Sequence, residues 1–238
     1  MSPTPAKSRR DTSGYPSLTE GAYAALRHGI LTSHLAPGSK LVLDHLKDQL
    51  RIGIAPIREA LARLAGEGLV DTESQRGFWV SPVSVDELQQ LGELRATMEV
   101  MAFRHAMETD HRLLQDRLGE AWRSFKEVGQ RAGETEPLND TWDERHLRFH
   151  TALFCGYESP AMLRIYVNIY ARLERYRRLG IDRKGFLAGV IDDHSRLLEH
   201  VEAHDIEAGS QLIRRHIQDV VEIVRSNVGW TEPRARGS

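Results

Sequence analysis

From Ser84 to about residue 228, apolar residues recur at three- and four-residue steps, and glycine and proline are confined to a few joints. Periodicity sustained over such a length excludes a sheet and requires helices that bury one stripe each against their neighbours. The joints divide the stretch into six amphipathic helices: Val85 to about Thr109, then near 110–130, 140–156, 159–180, 183–204 and 206–228. Short connections between them point to an all-helical antiparallel bundle spanning 84–228. Ser84 is a fitting N-cap for the first helix, and Gly129 to Asn139 is the expected loop.

The chain ahead of Ser84 reads differently. Residues 1–16 are polar and rich in Pro, Ser and Arg, the composition of a disordered tail, and 229–238 reads as a second tail. A helix is expected from Ser17 or Thr19, with Tyr23, Leu26, Ile30 and Leu31 inward, ending before the turn residues Ala36-Pro37-Gly38. A second helix opens at Asp44 as its N-cap, runs through Leu46 and Leu50, and breaks at Gly53. A third runs from Pro56 to Gly66 or Gly68, burying Ile57, Leu61 and Leu64 and exposing Arg58, Glu59 and Arg63. Two β-prone stretches follow, Leu69 to Thr72 and Gly77 to Ser81, separated by the turn-like Glu73-Ser74-Gln75-Arg76. Three helices and a hairpin in this order make a winged helix-turn-helix over 17–83, with Arg76 and Gly77 in the wing. The fold class is therefore mainly α, with a small β wing.

Composition agrees with a soluble globular protein: of 238 residues, 40% are hydrophobic and 28% charged. There is no apolar run of membrane-span length and no hydrophobic signal segment at the N-terminus, so a cytoplasmic location and no membrane partner are expected. Cys155 is a lone cysteine, read as a small buried apolar residue. The net charge of −2 conceals a weak asymmetry. Residues 1–84 carry 10 Lys+Arg against 8 Asp+Glu, a balance of +2, and the rest 22 against 26, a balance of −4. A nucleic-acid surface in the first part is allowed but not demanded.

Four histidines lie on the apolar stripes of the later helices. His146 and His150 alternate with Trp142, Phe149 and Leu153; His194 aligns with Leu197, Leu198 and Val201; His216 aligns with Ile213, Ile217, Val220 and Val224. Taken singly, each reads as a satisfied core histidine. Taken together they are candidates for one buried centre, because convergent neutral imidazoles suit Zn²⁺ or Ni²⁺. The pair His200-x3-His204 lies off the stripe of His194 and reads as solvated. Arg95 and Glu99, one turn apart, read either as an exposed ion pair or as a cation, Arg95, facing an anionic ligand.

The two halves together resemble the GntR regulators of the FadR type, with a ligand-binding domain of the FCD kind, over about residues 17–225. The likeness rests on Leu35-Ala36-Pro37-Gly38-Ser39-Lys40-Leu41, on Pro56-Ile57-Arg58-Glu59-Ala60-Leu61-Ala62-Arg63-Leu64 and on Glu67-Gly68-Leu69-Val70. In the second half it rests on Arg95-x3-Glu99, Phe149-His150, Asp193-His194 and His216. The resemblance implies a homodimer on a two-fold double-stranded DNA operator. It implies that Arg58 meets bases, with Lys40, Arg63, Arg76 and Gly77 completing the DNA-facing set. Gly53-Ile54-Ala55 departs from the family's Ser-Arg-Thr before the proline, removing an arginine and two hydroxyls.

The resemblance also implies a divalent metal held by His150, His194 and His216. His146 stands where the family usually has aspartate, and Asp143 is placed one turn earlier as an outer partner. Arg95 then becomes the expected contact for a small carboxylate effector, and the stretch from Trp142 to Ala152 is similar to glutarate-responsive, carbon-starvation-induced repressors of this family. The function implied is a repressor controlled by a carboxylate metabolite. The alternatives are a metal-sensing regulator and a metal-dependent hydrolase. The hydrolase is disfavoured because His146-Leu147-Arg148-Phe149-His150 lacks the glutamate that serves as general base in helical zinc proteases, and no catalytic residue is expected.

Overall fold

A computed structural model describes residues 17–73, 77–134, 140–157, 159–180 and 183–228, which form nine helices and a three-stranded sheet. The chain divides into two units: residues up to Gly29 with Ser39–Ser81, and Ile30–Gly38 with the chain from Pro82 onward. The expected boundary at residues 83 and 84 lies near this change, whereas Ile30–Gly38, expected in the first domain, groups with the second.

The first elements are α1 (Leu18–Leu31), whose last two residues group with the second unit, then β1 (Lys40–Leu41), α2 (Leu43–Leu50), α3 (Ile54–Gly66), β2 (Val70–Glu73) and β3 (Gly77–Val80). Ser17 caps α1 by accepting the Glu20 N–H at 3.1 Å. The N-cap of α2 is Val42 rather than Asp44, which sits in the first turn, where its charge still favours the helix dipole. The helix ends at Arg51, left-handed at φ 56°, two residues before Gly53. Pro56 then falls inside the first turn of α3, which needs no N–H there. The sheet is antiparallel in the order β1-β3-β2, with Lys40 opposite Trp79 and Val70 opposite Val80. Strand β1 was not expected; at two residues it has no period of its own and exists through its pairing with β3.

The second unit is all-helical: α4 (Val85–Thr109), α5 (His111–Glu134), α6 (Asp140–Ala152), α7 (Pro160–Gly180), α8 (Arg183–Glu202) and α9 (Ile206–Asn227). The Ser84 side chain accepts from the Glu87 N–H and Asp205 caps α9 through the Ala208 N–H. The expected loop from Gly129 is corrected, since α5 continues to Glu134; residues 135–139 and both expected tails lie outside the described residues. Helix α4 packs on α7 and α9, α5 on α6 and α8, and α8 on α9. Two glycines set the α4–α9 approach: a Cβ at Gly209 would lie 2.5 Å from the Phe103 ring and one at Gly92 2.6 Å from Val221. No described helix is long and apolar enough to cross a membrane.

Candidate functional site

The bundle brings together the four histidines that the sequence singled out. His146 and His150 come from α6, His194 from α8 and His216 from α9, all buried, and one nitrogen of each lies within 4.8 Å of the others. Aromatic side chains wall them in. Trp142 stacks on His146 with ring centres 4.6 Å apart, Phe149 lies 4.4 Å from His194, and Phe125 lies 5.2 Å from both His146 and His194.

The outer nitrogens fix the chemistry of the inner ones. His150 Nδ1–H donates to Glu99 Oε2 at 3.0 Å, His194 Nδ1–H to the Val190 carbonyl at 2.5 Å, and His216 Nδ1–H to Asp193 Oδ2 at 3.0 Å. Each partner is an acceptor, so each Nδ1 carries a proton, and in a neutral ring Nε2 is then the nitrogen with the free lone pair. His150 Nε2 and His194 Nε2 face each other at 3.1 Å with no proton to share, and the buried His216 Nε2 has no partner. His146 Nε2 also lies 3.1 Å from His150 Nε2, and its Nδ1 meets the Tyr170 hydroxyl at 2.6 Å.

Protonation does not relieve this crowding at neutral pH. Burial, reinforced by the adjacent imidazoles, pushes His146 and His194 well below the usual value. Burial pushes His150 down to about 4 despite Glu99. Converging lone pairs with outer nitrogens held by acceptors fit a divalent cation, whose N-ligands at about 2.0–2.1 Å would stand roughly 3.0–3.4 Å apart.

Glu99 links this cluster to Arg95. Its Oε1 accepts from Arg95 Nε at 2.7 Å and from the Tyr166 hydroxyl at 2.6 Å, while Oε2 takes His150. Burial alone would raise the Glu99 carboxyl, but Arg95 and His150 hold it well below the carboxylate range. Arg95 is only 6% exposed, so the surface ion-pair reading is corrected: this is a buried pair. Its guanidinium lies over the Tyr170 ring at 4.8 Å, and its Nη2 is buried without a partner.

Among the described residues, Arg95 and the histidines line two separate cavities. Glu99, Phe149, His150, His194 and His216 are among the walls of one, with free space of about 10 Å³; Arg95 lines another of similar size with Leu88, Leu173, Glu174 and Arg177. Each has room for one water- or ion-sized body.

Asp143 is not an outer partner of the histidines. Arg177 and Arg178 hold its carboxylate, and Arg177 also binds Glu174 and lies over Trp142 at 4.6 Å. His204 is exposed, with its ring 4.5 Å from His111 rather than near the four. Cys155 is half-buried at the edge of the core, where burial raises its thiol. Tyr166, Tyr170 and Asp193 were not singled out as site residues from the sequence. Tyr166-x3-Tyr170 has the spacing of His146-x3-His150, and two buried phenols on one face need polar partners.

In the first unit the three exposed positions of α3 part company. Glu59 accepts from Thr19 at 3.0 Å on α1. Arg63 pairs with Glu20 at 2.8 Å and covers the Tyr23 ring at 3.7 Å, so it serves the α1–α3 joint. Arg58 is exposed, with no hydrogen-bond or ion-pair partner among the described residues. Lys40 lies over Trp79 at 5.3 Å and Gly77 takes φ +116°; Arg76 lies outside the described residues.

Comparison with known proteins agrees with both units. Residues 18–80 match the family described as bacterial regulatory proteins, gntR family, and residues 90–219 match the FCD domain. The HTH-type transcriptional regulator BphR of Paraburkholderia xenovorans is 30% identical over 92% of this chain and 92% of its own. The HTH-type transcriptional repressor GlaR of Escherichia coli is 28% identical over 85% of this chain and 94% of its own. A GntR transcriptional regulator from Rhodococcus sp. RHA1 superposes with a TM-score of 0.71 at 19% identity, over 91% of this chain and all of its own, a likeness of fold.

Proposed function

The chain belongs to the gntR family of bacterial regulatory proteins and carries an FCD domain, and on that footing we propose a homodimeric repressor whose hold on its operator is loosened by a small carboxylate bound beside a metal ion. As a member of that family it is a DNA-binding transcriptional regulator and not an enzyme. Arg58 is the cation on α3 left free of the internal ion pairs, and it is assigned to the major groove, where a guanidinium pairs with guanine O6 and N7. Lys40 and the wing around Gly77 are assigned to the backbone.

The observation that carries the metal assignment is the meeting of buried imidazole lone pairs with nothing to share. His146, His150, His194 and His216 would hold the ion, and Glu99, Asp193, Val190 and Tyr170 orient them. A bound Zn²⁺ or Ni²⁺ would supply positive charge that neutral imidazoles leave in place, together with an affinity for anionic oxygen. Arg95 supplies the second positive group, through an Nη2 that lacks a partner. With about 10 Å³ on either side of Glu99, a carboxylate enters only by spreading α4, which carries Arg95, from the histidine-bearing helices. That spreading is the proposed signal.

The tightness of the walls favours one second reading, in which the metal ion is itself the signal. The metal assignment common to both is tested by native mass spectrometry with elemental analysis of purified protein. Wild type retains one ion per chain, and a His150→Ala, His194→Ala double variant retains none. Full occupancy in the double variant overturns the site.

A further inference from the structure

The atoms turned toward the centre of the histidine cluster carry information about which ions it accepts. The set converging within 4.8 Å is four imidazoles, and no carboxylate among the described residues belongs to it. Two acids that line the same cavity are committed to other groups: Asp193 accepts from His216 Nδ1, and Glu99 divides its oxygens among His150, Arg95 and Tyr166. Asp143, one turn before His146, is committed to Arg177 and Arg178. Hard ions such as Mg²⁺, Ca²⁺ and Mn²⁺ derive most of their binding from oxygen ligands, whereas imidazole favours the later first-row ions.

Resting on the metal reading above, we infer that this centre takes Zn²⁺, Ni²⁺ and their neighbours and rejects Mn²⁺ and Mg²⁺, and that His146 is the residue setting that choice. His146 is singled out by its surroundings. His150 and His216 lean on carboxylates, so an acid in place of either would face a like charge across a short distance. His146 leans instead on Tyr170: with Nε2 turned to the metal its Nδ1–H donates to the phenol oxygen, and the same neutral hydroxyl can reverse its role and donate to a carboxylate. Position 146 is thus where an oxygen ligand could be accommodated, and the chain places nitrogen there. The stack of Trp142 on the ring and the nearby Phe125 build a slot for a flat imidazole.

The test is competitive loading of chelated full-length protein, wild type, His146→Asp and His146→Glu, from an equimolar mixture of Zn²⁺, Ni²⁺, Mn²⁺ and Mg²⁺. Retained metal is measured after dialysis and checked by the thermal shift each ion produces alone. Wild type should retain Zn²⁺ or Ni²⁺ over Mn²⁺ by about 100-fold or more, and a folded acid variant should narrow that ratio by about tenfold or more. Wild type loading Mn²⁺ as well as Zn²⁺ overturns the selectivity. An acid variant that folds and keeps the wild-type ratio overturns the role of His146. If wild type loads no ion at all, the metal reading itself has failed. The wild-type competition decides the selectivity even if both variants misfold.

Discussion

At the scale of single residues, the partners that a polar group finds inside the fold separate positions that hold the fold from positions left open. On α3, Arg63 is answered by Glu20 and Tyr23, and Arg58 by nothing described, which is why the proposed function gives Arg58 the base contact. Arg58→Ala should weaken specific operator binding by about 1–3 kcal/mol while leaving the fold intact, read by salt-matched gel shift. Unchanged affinity would place base reading elsewhere. The histidines make a second residue-scale prediction, for the metal-free protein. His146, His150 and His194 have folded values pushed below the unfolded value of about 6.5, so the unfolded state binds more protons below that pH and stability falls on acidification. Asp143, raised to about 7 by burial and Glu174, acts in the opposite sense, but it is one group against three. Glu99 stays charged throughout and adds no slope. Thermal melts of chelated protein from pH 8 to 5 should show Tm dropping below about pH 6.5. A flat profile would mean that the imidazoles are not held neutral.

At the scale of elements, caps and periodicity made most of the second unit legible. Ser84 started α4 where expected, and the stripe of Leu88, Ala96, Phe103 and Ala106 turned inward as the 3.6-residue period requires. The misplaced boundaries have identifiable causes. Gly129 does not end α5, because one glycine costs a helix only about 1 kcal/mol and Val128 beside it packs on the core. Arg51 ends α2 in a left-handed conformation that nothing in its own side chain announces. What sequence patterns do not encode is how closely two helices approach. Gly209 lies under the Phe103 ring, so Gly209→Ala, favourable for helix propensity alone, should destabilise the second unit by about 1–3 kcal/mol through overpacking. Chemical denaturation would measure it, and an unchanged or raised midpoint would contradict the close α4–α9 packing.

At the scale of the whole molecule, a gntR-family DNA-binding unit is followed by an FCD unit whose buried histidines form the candidate metal site. The four histidines were legible because they sat on the apolar stripes of three helices, where a polar group needs a reason. The separation of Arg95 from them by Glu99 was not, because it depends on which helix faces which. Glu99 takes His150 with one oxygen and Arg95 with the other, and under the proposed function an arriving carboxylate would replace it on the second. The central claim is that the metal and Arg95 act together on one acid. It is tested most directly by calorimetric titration of small mono- and dicarboxylates, glutarate among them, into metal-loaded protein, chelated protein and metal-loaded Arg95→Ala. The account predicts that at least one acid binds the loaded wild type, that chelation abolishes binding, and that Arg95→Ala sharply weakens it. Equal affinity in the loaded and chelated forms would contradict it.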